Sequence, residues 1–485
     1  MRPCVWGILA LAGCAGTSPK PDPEPAADDT GTSGCTRAGL VADVAATLVD
    51  GATFAEVTGT LGEAADVTVW ATAEGGPDVA GLGLAGEAGA FATPLRGLRG
   101  ETTYTVHVQA TSAGGCEVVA TELLTGDVAG EPPTFDVATD DGTHEGFLAV
   151  TYTTTGDVTE GIAVIDRGGV PVWNFVNTKA RGALLFSEPA AEGEGFLAVF
   201  SNPANPPSAH VGYVGLDGEV ADDLVLYGAH HTATQKVPGV RYATVAEVRQ
   251  EVPGVGETCG TGLDTVIGDQ IVEVSDDGTA TVVWDAFEDG WDLTCHDFMD
   301  YGGDANDWTH FNALDYDAAR DWWLVSVYWY GFVAVIDRQT KAVVFTLGEG
   351  GDCEASLEKQ HGAEFTADGI AVYDNGGGRM LRYELDWDTF LAGGSDFCWL
   401  REEVAHPDGG RSNTLGDVDV DGAGRWYTAW GELSEIAVVT EDLGVHGDAA
   451  ISWHGDVSYE SEYVEDHGGF IAESIAFLPD LYFED

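Results

Sequence analysis

Three histidine segments hold the residues best suited to chemistry. His230 and His231 follow Gly228-Ala229, His310 lies in Asp307-Trp308-Thr309-His310-Phe311-Asn312, and His361 lies in Lys359-Gln360-His361-Gly362-Ala363. Each stands just before a strand-like run. A lone histidine of this kind is more often a packed core residue, but three at matched places in a repeat face one another. Such histidines can bind a metal, and they equally suit proton transfer and nucleophilic attack near neutral pH. A separate segment, DVDVDG at 417–422, has the look of a calcium loop. Its twelfth position is Thr428 where a bidentate acid is needed, so it reads as a turn and no metal is assigned.

The elements that must position these histidines show as a repeat. AVIDRGGVPVWNF at 163–175 matches AVIDRQTKAVVFTLG at 334–348, and weaker copies lie at 211–228, 271–286, 381–390 and 436–455. Runs such as GFLAVTY, GFLAVFS, WWLVSVYW and GIAVYDN fall upstream of most of them. Six recurrences predict an all-β fold, a six-bladed β-propeller over 131–485, whose inner strands converge on a channel. The widest gap, about 248–309, reads as a disulfide-pinned insertion. Residues 35–126 alternate apolar and polar in short runs, which predicts a small β-sandwich preceding the propeller.

The N-terminus reads as an address. Residues 5–13 are an apolar stretch, and Leu11-Ala12-Gly13-Cys14 has the form of a bacterial lipobox, which makes 1–14 a lipoprotein signal peptide with Cys14 lipidated. Residues 15–34, rich in Pro, Asp, Gly and Ser, read as a flexible tether. The membrane is then met through the lipid alone, at the periplasm, outer membrane or cell surface. Six further cysteines suit an oxidising compartment, and nearest-neighbour pairing predicts Cys35–Cys116, Cys259–Cys295 and Cys353–Cys398. With Lys+Arg 20 against Asp+Glu 82, the net charge of −62 excludes a protein that holds nucleic acid by charge. A hydrophobic fraction of 44% places that charge on a folded surface rather than a disordered tail.

Two resemblances sharpen these expectations. LRGLRGETTYTVHVQATSAGG resembles the late strands of a fibronectin type III domain, with Tyr104 at the corner position; His107 beside it reads as structural. The segments DWTHFNALDYDAARDWWLVSVYWYGFVAVIDRQT, QHGAEFTADGIAVYDNGGGRMLRYELD and SNTLGDVDVDGAGRWYTAWGELSEIAVV resemble successive blades of the bacterial arylsulfotransferases. That resemblance implies transfer of a sulfuryl group from an aryl sulfate to a phenol acceptor, with no cofactor. It implies that His361 is the nucleophile that becomes a sulfohistidine, with His310 and His230 or His231 as acid–base and sulfuryl-binding partners. Asn312 would orient one of them, and Trp308, Tyr328 and Tyr330 would stack on the aryl ring. Where the family has a sulfuryl-binding arginine this sequence has Tyr328, so either another cation such as Arg379 or Arg382 compensates or activity is weak, altered or absent. The rival reading is a non-catalytic propeller lipoprotein that binds a small molecule or protein partner.

Overall fold

The computed structural model describes residues 35–49, 53–130, 132–140, 146–154, 159–178, 181–190, 195–201, 209–293, 295, 305–406, 409–412, 415–420, 425–431, 435–440, 450–458, 470–478 and 481. The signal segment, Cys14 and the tether lie outside the described residues. Among the described residues no helix is long and apolar enough to cross a membrane.

Residues 41–124 form two antiparallel sheets over a core of their own, to which alternate residues such as Val67, Val69, Val106 and Val108 contribute. The Tyr104 hydroxyl accepts the Arg99 backbone N–H at 2.9 Å, closing the corner. His107 stacks on Trp70 with ring centroids 4.9 Å apart. This unit is fastened to the rest of the chain. Phe54 enters the apolar cluster of Val172 and Trp173, the Thr53 hydroxyl donates to the Val172 carbonyl, and Arg99 pairs with Asp166 at 2.6 Å.

The remainder is six sheets of four or five strands, counted over the described residues, antiparallel except where the short strands Asn306–Asp307 and Cys353–Glu354 pair in parallel. Their second strands, such as Gly195–Ser201, Trp322–Val327 and Gly369–Asp374, are buried on both sides, because each sheet is covered on both faces, while outer strands such as Val220–Val225 are largely exposed. In Gly195–Ser201, for example, Phe196, Ala198 and Phe200 pack toward the preceding sheet, while Leu197 and Val199 pack toward the following one. Apolar clusters of this kind join every pair of successive sheets.

One edge strand of each sheet meets its counterparts. These are Ala183–Pro189, Ala229–Thr234, Phe311–Asp317, His361–Thr366, Asp417–Val420 and Phe470–Leu478, and each contacts the next, with the last returning to the first. The two ends of the chain close the cycle. Phe470–Leu478 completes the sheet begun by Phe147–Thr154, and Thr134–Asp140 adds to the outer edge of the last sheet.

The insertion expected over 248–309 is narrower than its sequence interval. Tyr242–Glu251, Thr265–Val274 and Ala280–Asp285 are strands of the third sheet, and the first two pair along their whole length. The last residues of Tyr242–Glu251 are less buried than the first, whereas Thr265–Val274 is buried over nearly its whole length. The helix Val255–Cys259 spans the tip, and Cys259 is joined to Cys295. All three disulfides pair as the spacing predicts. Asp417–Val420 is a strand, so the first half of DVDVDG is not a loop.

Candidate functional site

The three histidine segments meet at one end of the six-strand cycle. His231 Nε2 lies 3.1 Å from His310 Nε2, and the His231 and His361 ring centroids are 6.3 Å apart. The backbone aims them. His231 and His310 have φ of 54°, Lys359 has 56° and Leu415 has 60°, one left-handed non-glycine residue at the start of each of four successive edge strands. Each such residue costs about 1–2 kcal/mol, and clustered strain of this type marks positions held for a purpose. Register shifts follow at His230/Ala233, Phe311/Ala313 and His361/Ala363, which turn the side chains inward. Gly362, at φ +40°, lies so close to the next strand that a Cβ there would sit 2.3 Å from Asp417 Oδ1.

The hydrogen bonds fix the protons. Asn375 Nδ2 donates to the Leu415 carbonyl, so its Oδ1 faces His361 Nδ1 at 2.8 Å, and the Lys359 carbonyl lies 3.1 Å from the same nitrogen. Both neighbours accept, so Nδ1 carries the proton and Nε2 the lone pair. The Leu415 N–H donates to that Nε2 at 3.3 Å. Burial pushes His361 down to about 4, with Asn375 opposing and His310 adding to the shift. It is a neutral imidazole at pH 7.

His310 is its opposite. Burial alone would lower it, but Asp307, whose Oδ2 lies 2.7 Å from Nδ1, outweighs that with help from Asp269 and Glu247, and the imidazole is raised above its ordinary value. Trp329 Nε1 donates to the same Asp307 oxygen and holds the carboxylate in place. Burial, then the neighbouring His310, His230 and His361, hold His231 well below its ordinary value, so it accepts the proton His310 offers. His230 turns away. Its Nε2 is 2.8 Å from Asp269 Oδ1, and that carboxylate also accepts from the Thr309 hydroxyl and the Phe311 N–H.

Below the histidines the six strands enclose a cavity of about 600 Å³. His231, Asn312 and His361 line it, together with the charged residues Lys236, Asp315, Glu364, Glu188, Asp417 and Asp419. An edge strand has backbone N–H groups with no ladder partner, and here carboxylates of the preceding strand accept them. Gln235 N–H donates to Glu188, Phe365 to Asp315, Val420 to Glu364, Ile475 to Asp417 and Phe477 to Asp419, at 2.7–3.4 Å. Burial in this ring of like charges raises Glu188 to about 8 and raises Glu364 and Asp417 well above the carboxylate range. Lys236 donates to Asp315 Oδ1 at 2.8 Å.

Several expected site residues are placed elsewhere. Arg379 and Arg382 lie on the third strand of the fifth sheet and do not join the histidines. Arg379 pairs with Asp374 and Glu403, and Arg382 with Asp368 and Glu402. The cations on the cavity wall among the described residues are Lys236 and Arg425. Trp308 is in the core, packed on Phe287, with its Nε1 donated to the Tyr330 hydroxyl. Tyr328 follows the Trp322–Val327 strand in a 3₁₀ turn rather than lying on it, and its ring centroid is 5.2 Å from His310 and 5.3 Å from His361. Sequence reasoning missed Asp307, Asp269, Asn375 and Lys236 as partners. Asp307 had a signal, three residues before His310.

Comparisons with known proteins follow the same segments. The family model described as Arylsulfotransferase (ASST) matches residues 136–389. No curated protein matches the chain. Among solved structures, it is similar to a nidogen/laminin complex chain (10% identity over 71% of this chain and 95% of that one, TM-score 0.32). It is also similar to the Kuenenia stuttgartiensis hydrazine synthase (13%, 60% and 76%, TM-score 0.26) and to a luciferin-regenerating enzyme (9%, 67% and 95%, TM-score 0.34). Likenesses at these scores carry no argument.

Proposed function

The chain belongs to the arylsulfotransferase family, and we propose that it moves a sulfuryl group from a phenolic sulfate ester to a phenol with His361 as the covalent nucleophile. The observation that carries this reading is the His361 tautomer: Asn375 and the Lys359 carbonyl occupy Nδ1, leaving the Nε2 lone pair directed away from them. In the first half-reaction Nε2 attacks sulfur, the bond from sulfur to the aryl oxygen breaks, and the phenolate takes the proton shared by His310 and His231. In the second half, the same pair takes the proton of an acceptor phenol, whose oxygen attacks sulfur as the bond to Nε2 breaks. The His310 imidazolium supplies positive charge, and the phenol of Tyr328, packed against both rings, stands where relatives have a guanidinium.

The six sheets are read as blades of a propeller around the cavity, with residues 35–126 as a separate fibronectin III-like domain and 131–485 as the propeller. The cyclic contacts of the edge strands and the closure by both chain ends support this arrangement. Three disulfides support export to an oxidising compartment, with lipidation at Cys14 as the anchor. The test is phenolate release from 4-nitrophenyl sulfate with and without phenol, together with mass spectrometry of the protein after donor alone. Wild type should show acceptor-dependent release and gain one sulfuryl group on the 361 peptide, and His361→Ala should do neither. A folded wild type that releases nothing would leave the family fold as a binding propeller.

A further inference from the structure

Asn306, Asp307 and Trp308 follow one another, and alternate residues of an extended chain face opposite ways. Asp307 faces His310, its Oδ2 lying 2.7 Å from Nδ1 and accepting from Trp329 Nε1 at 3.0 Å. Its two neighbours engage the insertion instead. Asn306, only 1% exposed, donates Nδ2 to the Leu263 carbonyl at 2.6 Å and to the Thr265 carbonyl at 3.3 Å. Trp308 packs in the apolar cluster that includes Val255 and the partly buried Val252, Cys259 and Leu293, and its N–H donates to the Ile267 carbonyl at 2.9 Å.

Asn306–Asp307 is a strand of two residues, in parallel register with Val266 and Ile267. A strand that short has too few ladder bonds to keep its own place. The insertion it leans on is tied through its tip: Asp264 Oδ1 accepts the N–H groups of Gly254 and Gly256, and Cys259 is joined to Cys295. The placement of Asp307 matters at the scale of one bond, since a displacement of about 1 Å would take Oδ2 out of hydrogen-bond reach of Nδ1.

We propose that Asn306 is a positioning residue for the proton donor: its two hydrogen bonds to the insertion hold the Asp307 carboxylate on His310. The part in proton donation rests on the sulfuryl-transfer reading, whereas the hold on the charge of His310 stands without it. The other groups facing His310 are Asp269 and Glu247 from the third sheet, His230 and His231 from Ala229–Thr234, His361 from His361–Thr366, and the rings of Tyr328 and Trp329. With Asp307 displaced, only Asp269 and Glu247 oppose burial, and the imidazolium is less favoured.

The experiment is NMR titration of the histidines in the full chain without substrate, for wild type, Asn306→Ala, Asp307→Asn and the two changes combined. In Asn306→Ala, His310 should titrate about one pH unit or more below wild type, and adding the change to Asp307→Asn should move it little further, because Asn306 acts through Asp307. In turnover, kcat/KM should fall about tenfold for phenyl sulfate, whose basic phenolate needs the proton, and less than about threefold for 4-nitrophenyl sulfate. Asn306→Ser, whose hydroxyl is too short to span both carbonyls, takes the place of Asn306→Ala should that variant not fold, with the same direction expected. An unmoved His310 in a folded variant overturns the proposal, as do shifts that add in the combined variant. Equal loss for both donors overturns it as well, since Asn306 would then act on stability alone. A lowered His310 in a protein that turns over no aryl sulfate supports the hold on His310 and overturns the transferase reading instead.

Discussion

Asp307 is the residue whose loss most directly tests the assignment of His310 as the proton donor. Its carboxylate lies 2.7 Å from His310 Nδ1. Asp307→Asn keeps an oxygen for that N–H and for Trp329 Nε1, so geometry survives and charge alone is removed. With charge centres about 4 Å apart and an effective dielectric of about 20, the lost attraction is about 4 kcal/mol, or about 3 pKa units as an upper figure. Burial, now opposed only by Asp269 and Glu247, then takes His310 from above 6.5 to below it. The imidazolium population at pH 7 drops by roughly ten- to a thousandfold on that arithmetic.

The assay compares two donors. Phenyl sulfate leaves as a basic phenolate that needs the proton, and general-acid loss should lower its kcat/KM by roughly 10²-fold. 4-Nitrophenyl sulfate leaves as a stable anion and should fall only a few-fold. Histidine titration by NMR should show His310 moved downward and His361 unmoved. An equal drop for both donors, or an unshifted His310, would refute the reasoning and make Asp307 a structural residue.

Four further outcomes follow from the same geometry and charge. The kcat/KM profile for the donor should be a bell, falling below about pH 4 as His361 protonates and falling again above a pH higher than 6.5 as His310 loses its proton. Because the folded His361 is depressed from 6.5, its contribution to stability is present above 6.5 and is lost as pH falls toward 4, which urea titration at several pH values measures. Gly362→Ala should cost about 2 kcal/mol or more and lower Tm, because φ is +40° and a Cβ would strike Asp417 and Val418. Donor kcat/KM should rise with salt, since an aryl sulfate approaches against a charge of −62 and the screening length is about 8 Å at physiological ionic strength.

The histidines and disulfides were legible because their signals are local. The repeated AVID segments at 163–166 and 334–337 both fall on the third strand out from the cycle. What stayed hidden was the rank of a strand within its sheet. Arg379 and Arg382 fall two strands out from the cavity, where Arg382 stands opposite Glu402 in register and Arg379 opposite Ala405, and acidic neighbours neutralise both. Lys236 lies just past the end of Ala229–Thr234, an edge strand of the cycle, so its side chain reaches the cavity although nothing in its local sequence distinguishes it from a turn lysine.

The acids have the same ambiguity, and it bears on function. In sequence, Glu188, Asp315, Glu364 and Asp419 are scattered members of a strongly acidic composition, and a solvated face is the natural reading for each. In the fold they occur on four of the six edge strands, where backbone N–H groups without ladder partners need acceptors. That structural need explains why carboxylates are there, but it could have been met by Asn, Gln, Ser or Thr at far lower desolvation cost. The first contact of the cycle is made in that way, with the Ser474 hydroxyl accepting from the Ser187 N–H. Acids at the other positions therefore cost more than strand closure requires, and burial among like charges raises Glu188, Glu364 and Asp417 above the ordinary carboxylate range, so that protons offset part of that cost.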